Sequence, residues 1–150
     1  MRAIIQRVSH ASVSVNGFLL NKIDKGYLIL LGIENGDTQE DLLWLSDKIA
    51  GLRIFSDDKG KMNLSIKEIH GEILLISQFT LHALTAKGNR PSFIKAARPE
   101  IALPLYNHVA LRLLEHHGIT TKKGEFGADM NIDLLNQGPV TIFIDSKNRE

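Results

Sequence analysis

Two short runs of apolar residues constrain the fold of this chain more than any other feature of its sequence. The first covers residues 26–33 (GYLILLGI), and the second is residues 73–76 (ILLI) of a predicted strand at residues 72–79 (EILLISQF). Both runs are far shorter than the roughly 20 residues of a membrane span. They are also continuous rather than alternating, which is typical of strands buried on both faces. We therefore expect a layered fold with these two strands at its centre.

The residues before the first run predict a β-hairpin. Residues 2–8 and 11–15 are rich in β-branched side chains, and Asn16-Gly17 is a strong signal for a type I′ turn. Residues 18–23 then return along the first strand. Further strands are predicted at residues 52–55, 129–135 and 140–144.

The first predicted helix follows the first apolar run. Asp37 can accept hydrogen bonds from the free amides of a helix start, and Glu40 lies three residues on, as in a capping box. Apolar residues then recur at helical spacing as far as Gly51, which ends the element.

The second predicted helix ends at His117, because Gly118 can adopt the left-handed conformation that stops a helix. Pro99 suits its first position, although a helix that begins there contains Pro104 and is expected to bend. With two helices, about eight strands and no linker or repeat, the chain is expected to form one domain, residues 1–150. The predicted class is α/β with a mixed sheet.

The composition narrows the chemistry and the partners. The absence of cysteine removes thiol nucleophiles, disulfides and thiolate metal sites. The net charge is only +1, so a contact with nucleic acid must come from a local patch. Arg7 and His10 interrupt the N-terminal apolar stretch, so we expect no signal peptide and a soluble, cytoplasmic protein. None of the six histidines has a recognised ligand spacing, so no metal or other cofactor is expected.

Three stretches carry polar residues that could form a site. Residues 77–81 (SQFTL) end the second central strand, where layered sheets tend to bind ligands, although such residues can also simply end a strand. Residues 136–141 (NQGPVT) form either a hairpin connection or a rigid loop that presents main-chain groups to a ligand. The third stretch is a solvated surface loop or a phosphate-contacting patch, and its basic residues are Lys87, Arg90, Lys95 and Arg98.

Thr80 could act as a nucleophile if a general base lay beside it. His82 would share a strand face with Thr80 if the strand continued that far, at a spacing of about 6–7 Å. A base at this spacing is a weak candidate, and a conventional catalytic triad is not evident.

Two of these stretches resemble the signature motifs of the D-aminoacyl-tRNA deacylase family, namely SQFTL at residues 77–81 and GPVT at residues 138–141. The similarity runs from end to end of the chain. It includes the opening MRAIIQRVSHASVSV, LRIF at 52–55, GKMNLS at 60–65, RPSF at 90–93 and ADM at 128–130. Either motif alone would be weak, but the pair at this separation is specific.

The resemblance implies a three-layer α/β/β fold with strongly curved mixed sheets and two main helices. It also implies a homodimer with active sites at the subunit interface. In this family the Gly-Pro bond, here Gly138-Pro139, is cis and projects into the pocket of the other subunit, where its carbonyls occupy the place of an L side chain. Arg7 is expected to orient that loop, and Met130 to lie near the pocket. The expected pocket residues are Ser77, Gln78, Phe79 and Thr80.

The activity implied by the resemblance is hydrolysis of the ester between a D-amino acid and the 3′ end of tRNA, a proofreading step in translation. Glycine has no side chain to exclude, so glycine mischarged on tRNA(Ala) is an expected substrate as well. The amides around Phe79 and Thr80 are candidates to stabilise the developing oxyanion. Either Thr80 is the nucleophile, or main-chain groups position the ester and the 2′-hydroxyl of the terminal ribose assists. We favour the second mechanism because no base is evident, and neither mechanism needs a metal.

Two positions depart from the family pattern. The family's Asn-Asp-Gly-Pro is Asn-Gln-Gly-Pro at residues 136–139, and His82 occupies a variable position. Two rival functions remain for comparison. One is an RNA-binding module that holds the tRNA end without cutting it, and the other is a dimeric scaffold with a vestigial pocket.

Overall fold

The computed structural model describes all 150 residues and contains eight strands and two helices. The strands are β1 (Arg2–Val15), β2 (Phe18–Ile23), β3 (Gly26–Gly32), β4 (Phe55–Ser56), β5 (Met62–Leu64), β6 (Glu72–Ser77), β7 (Thr121–Lys123) and β8 (Met130–Asp145). The helices are α1 (Gln39–Gly51) and α2 (Pro99–Leu111). A 3₁₀ turn at Phe79–His82 follows β6, and a π-helical turn at Arg112–His116 extends α2.

Six of the strands form one mixed sheet organised around β1. Residues 2–8 of β1 pair antiparallel with β3, and residues 11–15 pair antiparallel with β2. β8 runs antiparallel to β1 along nearly its whole length. β6 lies parallel to β3, and β7 lies parallel to β6. β4 and β5 form a separate two-stranded ribbon.

The two central strands, β3 and β6, are buried on both faces, as their continuous apolar runs predict. Ile29 and Leu75 belong to the larger core cluster, which packs the sheet against α1 and α2. Leu28 and Leu74 point the other way, into a smaller cluster covered by residues of β8 such as Ile132. The curved sheet thus supplies two β layers beneath one helical layer, which confirms the predicted three-layer α/β/β fold.

The start of α1 differs from the predicted one by a single residue. Thr38, not Asp37, caps the helix, and its backbone amide donates to Oδ2 of Asp41 at 2.8 Å. Asp37 is buried and instead accepts from the Met1 amine at 2.6 Å and from the Glu34 amide at 2.8 Å. Because one Asp37 oxygen binds the N-terminal amine and the other binds the preceding loop, Thr38 and Asp41 form the capping box of α1 instead.

The predicted strand at residues 52–55 is wrong in its bounds, since only Phe55 and Ser56 pair, with the unpredicted β5. β7 was also not predicted. The two strands expected at residues 129–135 and 140–144 are one strand, β8, because β1 continues beside both halves. The hairpin connection considered for residues 136–141 is therefore wrong.

The remaining turns follow the sequence signals. Asn16 and Gly17 both have positive φ, at 49° and 80°, as a type I′ turn requires. α2 begins at Pro99 and contains Pro104, and Gly118 follows the π-helical turn with a φ of 68°. Neither helix is long and apolar enough to cross a membrane.

Candidate active site

The SQFTL stretch lies where β6 ends and the chain turns away from the sheet. The Gln78 amide donates to the Leu31 carbonyl of β3 at 2.8 Å, and this is the last hydrogen bond of the pairing between β6 and β3. From Phe79 to His82 the backbone forms a 3₁₀ turn, so the strand does not continue to His82. The predicted shared strand face of Thr80 and His82 is therefore wrong, and His82 is buried.

A cavity of about 600 Å³ opens beside this turn, and 13 of its 19 lining residues are hydrophobic. Ser77, Gln78 and Phe79 form one wall, and Met130 of β8 contributes to another. Thr80 does not line the cavity. Most of the remaining lining is aromatic and aliphatic, including Phe93, Tyr106 and Phe126, and its charged residues are Arg98 and Asp129.

Two walls of the cavity are attached to the same short stretch of backbone at the end of β3. The Gln78 turn is held by Leu31, as described above. The loop before α2 is held by Ile33, whose carbonyl accepts from the Ala97 amide at 2.9 Å, and by Asn35, whose amide donates to the Lys95 carbonyl at 3.0 Å. The end of β3 therefore sets the distance between the turn and this loop.

Phe79, which lines the cavity, and Thr80, which follows it outside the lining, are both exposed. Phe79 is 56% exposed, and its ring meets that of Phe93 edge-on, with 5.1 Å between the ring centroids. The Thr80 hydroxyl accepts from the side-chain amide of Gln78, and no histidine or carboxylate hydrogen-bonds to it. Thr80 thus has no general base in this chain.

The first amides of the turn, those of Phe79 and Thr80, have no acceptor within it, as is usual at the start of a helical turn. Free amides at the edge of an apolar cavity can stabilise negative charge on a carbonyl oxygen, as in an oxyanion hole. The main-chain amides of this turn could therefore stabilise an oxyanion.

Tyr106 is the buried polar residue of the cavity that the sequence did not reveal. Its hydroxyl donates to the Leu75 carbonyl at 2.7 Å, and burial raises the pKa of Tyr106 well above its usual value. Tyr106 therefore stays neutral and shapes the cavity without exchanging protons. No local sequence pattern indicates that a tyrosine within an apolar helix lines a cavity.

The Gly138–Pro139 stretch forms an exposed loop that bulges out of β8, between Asn136 and Thr141, where the pairing with β1 shifts register. The peptide bond between the two residues is cis, and Gly138 has a φ of 136°. Arg7 holds the loop at its base: Nε donates to the Gln137 carbonyl at 2.9 Å, and Nη1 donates to the Ile54 carbonyl at 2.6 Å. Arg7 thus ties the loop to the segment before β4.

Asn136 closes the same loop from within, a role that was not predicted. Its Oδ1 accepts from the Val140 amide at 3.0 Å, and its Nδ2 donates to the Thr141 hydroxyl at 2.9 Å. Asparagine before a Gly-Pro pair is a turn signal that could have indicated this contact.

The structure does not bring the loop and the cavity together within one chain. Gly138, Pro139 and Arg7 are all absent from the cavity lining. Arg7 and Gln137 border a separate depression of about 110 Å³. If both stretches belong to one site, a second chain must supply one of them.

The basic residues of the loop before α2 are all exposed, and none of their side chains forms an ion pair. Arg98 also lines the cavity, whereas the other three lie outside it. The residues concerned are Lys87, Arg90, Lys95 and Arg98.

A cluster of potential metal ligands lies elsewhere, between α1 and the end of α2. Ligand atoms of Asp47, His116 and His117 lie within 4.8 Å of one another. Asp47 is already engaged, because its Oδ1 accepts from Arg112 at 2.7 Å and contacts Nε2 of His117 at 2.9 Å. We interpret this cluster as an ion-pair network that joins the two helices.

Comparison with known proteins identifies the family of the chain. The D-Tyr-tRNA(Tyr) deacylase family matches residues 4–145. A D-aminoacyl-tRNA deacylase of Flavobacterium psychrophilum is 58% identical and one of Bacteroides fragilis is 59% identical, each over the whole of both chains.

Solved structures give the same result for the fold. A c-Myc DNA Unwinding Element Binding Protein matches with a TM-score of 0.90 and 40% identity, covering 97% of this chain and 98% of that one. A probable eukaryotic D-amino acid tRNA deacylase matches with a TM-score of 0.81 over 95% and 97% of the two chains, and at 16% identity it shares the fold. Agreement over the full length confirms the resemblance seen in SQFTL and GPVT: the chain belongs to the D-Tyr-tRNA(Tyr) deacylase family.

Proposed function

We propose that this chain hydrolyses the ester of D-aminoacyl-tRNA and releases the free D-amino acid and tRNA. The observation that carries the proposal is the pair of free amides at Phe79 and Thr80 beside an apolar cavity, in a chain of this family. Such amides suit acyl transfer because negative charge develops on the carbonyl oxygen in the transition state. The tRNA would present its 3′ end to the cavity.

In the proposed reaction, water adds to the ester carbonyl carbon and the tetrahedral intermediate collapses with cleavage of the bond to the ribose oxygen. That oxygen leaves with a proton, and the acid is released. Because no base contacts Thr80, we assign the positioning of the ester to main-chain groups and the proton transfer to the neighbouring 2′-hydroxyl of the ribose. Thr80→Ala should therefore retain at least a tenth of the wild-type kcat, whereas a nucleophilic Thr80 predicts loss of turnover.

We further propose a homodimer in which the Gly138–Pro139 loop of one chain enters the cavity of a second copy. Three observations support this arrangement: the loop and the cavity are separate within one chain, β8 pairs only with β1, and Leu135 and Phe143 of β8 are exposed. Unpaired strand edges and exposed apolar side chains are typical of association surfaces.

This arrangement would reject L-aminoacyl esters because rigid backbone would fill the space that an L side chain needs. Glycine has no side chain and should pass the same filter, so glycyl-tRNA(Ala) is a proposed second substrate. The tRNA backbone would contact the exposed basic residues of the loop before α2. Such an enzyme would act in the cytoplasm, where tRNA is charged.

The test is a deacylation assay with matched D-tyrosyl-tRNA, L-tyrosyl-tRNA and glycyl-tRNA. We expect release from the first and third and little from the second. Equal rates on the two enantiomers would contradict chiral selection. Binding of charged and uncharged tRNA alike, with no amino acid released, would instead identify an RNA-binding module.

The oligomeric proposal has its own test. Light scattering should give the mass of a dimer, and Phe143→Glu, with Leu135→Glu as a second variant, should shift it toward a monomer. The monomeric variant should lose its preference for the D-ester. A wild-type monomer with full chiral preference would refute the shared site, and activity that survives replacement of Gly138 and Pro139 unchanged would favour a vestigial role for that loop.

A further inference from the structure

The turn that carries Phe79 and Thr80 packs against β3 at a position with no room for a side chain. A Cβ atom added to Gly32 would lie 2.9 Å from the Gln78 carbonyl oxygen and 3.0 Å from Cδ2 of His82. Real Cβ atoms essentially never lie so close to a backbone oxygen. Glycine is required here by space, because an alanine would push the turn away from the sheet.

The side chain of His82 packs against Gly32 in this contact. The side chain is fully buried, and neither ring nitrogen has a hydrogen-bond partner. The Glu34 carboxylate lies close by, with Oε2 at 3.9 Å from Nδ1, which is beyond hydrogen-bond distance. Burying an unpaired polar ring costs stability, so its presence directly beneath the turn calls for a reason other than stability.

We propose that the Gly32–His82 contact fixes the height of the Gln78–Thr80 segment above β3 and that His82 is a positioning residue for the deacylation. The inference rests on the proposed function, because it assumes that the ester is held at this turn. The ring acts through its volume, since its nitrogens bond to nothing in the chain. The ring keeps the turn from moving closer to the sheet, and the absence of a side chain at Gly32 lets the turn approach β3 as far as the ring.

Two hydrogen bonds anchor the turn on either side of the Phe79 and Thr80 amides. The Gln78 amide is bonded to the Leu31 carbonyl, and Nη1 of Arg2 donates to the Leu81 carbonyl at 2.9 Å. Arg2 is itself held by Asp145, whose Oδ2 lies 2.9 Å from Nε. The residues between these two anchors include the amides of Phe79 and Thr80.

A double-mutant cycle on kcat for D-tyrosyl-tRNA tests the proposal. Gly32→Ala should lower kcat at least tenfold, because a displacement of about 1 Å near a reacting centre can cost about 100-fold. His82→Ala should also lower kcat, and KM should change less than threefold in both variants. In the double variant the new methyl group loses its close contacts with Cδ2 and Nε2 of His82 and keeps only the one with the Gln78 carbonyl oxygen, so kcat should recover in part above that of Gly32→Ala.

Two more variants separate positioning from general destabilisation. Gly71→Ala is the matched control, because its Cβ would meet Ile69 and Ile66 side chains at 2.8 and 2.9 Å, away from the turn. It should lower the Tm without lowering kcat. His82→Leu should restore most of the kcat lost in His82→Ala, because leucine replaces the volume without the nitrogens.

The outcomes are distinct. Wild-type kcat in both Gly32→Ala and His82→Ala would overturn the proposal, and so would a double variant whose losses simply multiply. Equal loss in His82→Leu and His82→Ala would also overturn it, since the ring would then act through its nitrogens. If the wild-type protein released no D-tyrosine, the proposed function would fail and the positioning role with it.

Discussion

Arg7 offers a sharp test of how the Gly138–Pro139 loop is held. Its guanidinium makes two hydrogen bonds, an exposed one to the Gln137 carbonyl and a partly buried one to the Ile54 carbonyl. A hydrogen bond from a charged donor contributes roughly 1.5–3 kcal/mol when buried and less when solvent competes. We therefore assign about 2 kcal/mol to the pair together, with the larger share on the Ile54 side.

Removing both bonds in Arg7→Ala should release the loop from the segment before β4. If the loop enforces chirality only when held, the ratio of D- to L-tyrosyl-tRNA hydrolysis should fall by up to about 30-fold, the equivalent of 2 kcal/mol. Arg7→Lys keeps the charge but has a single ammonium, which cannot span both carbonyls as the guanidinium does. Its ratio should fall by about fivefold.

The assay measures kcat/KM on each enantiomer for the wild-type protein and both variants. Arg112→Lys is the control, because Arg112 also uses two nitrogens to hold an acceptor, Asp47, far from β8. This control should leave the D-to-L ratio unchanged. The reasoning is refuted if Arg7→Ala keeps the wild-type ratio while its Tm falls, since the bonds would then serve stability alone.

Three further predictions concern the same molecule. Gly138→Ala places a methyl group 2.8 Å from Val140 and 2.9 Å from Arg7 at a φ of 136°, so relative hydrolysis of the L-ester should rise while circular dichroism stays native. A Lys87→Ala/Arg90→Ala variant should bind tRNA more weakly, with a salt dependence of log Kd shallower by about 1 to 2; an unchanged slope would exclude phosphate contacts there. Burial alone would raise the pKa of Asp41, but hydrogen bonds led by that from Lys147 outweigh it and hold this pKa well below its usual value. The ionised Asp41 carboxylate therefore stabilises the fold above about pH 4, the pKa of an aspartate in the unfolded chain, and this stabilisation is lost below that pH. The Tm should fall in acid for the wild type and should vary less with pH in Asp41→Asn.

The sequence predicted those parts of the fold whose signals are local and uninterrupted. The runs that became β3 and β6, the Asn16-Gly17 turn and the stop at Gly118 each depend on residues adjacent in the chain. β7 could not be predicted, because its three residues form a strand only by pairing with β6, which is distant in sequence. β5 was missed because a three-residue strand that pairs with the two residues of β4 has too short a pattern to be recognised. β8 was divided in two because Gly138 and Pro139 normally end a strand, and only the length of β1 shows why this one continues.

The sequence predicted the motifs of the candidate site but not the tertiary contacts that hold them in place. SQFTL marks the end of β6, but nothing near Gly32 shows that its missing side chain matters 46 residues later. The helix cap moved from Asp37 to Thr38 for a similar reason, since the competing Met1 amine is distant in sequence. Contacts of this kind depend on the tertiary structure rather than on any local pattern.

The attachment of two cavity walls to the end of β3 bears on how such a protein can diverge. The bonds that hold the loop before α2 join main-chain atoms, at Ile33 to Ala97 and at Asn35 to Lys95, and main-chain bonds form whatever side chains those residues carry, proline donors excepted. The outward side chains of that loop can therefore change over evolutionary time without altering the cavity behind them. Selection could retune which tRNAs are recognised while the catalytic geometry is inherited unchanged.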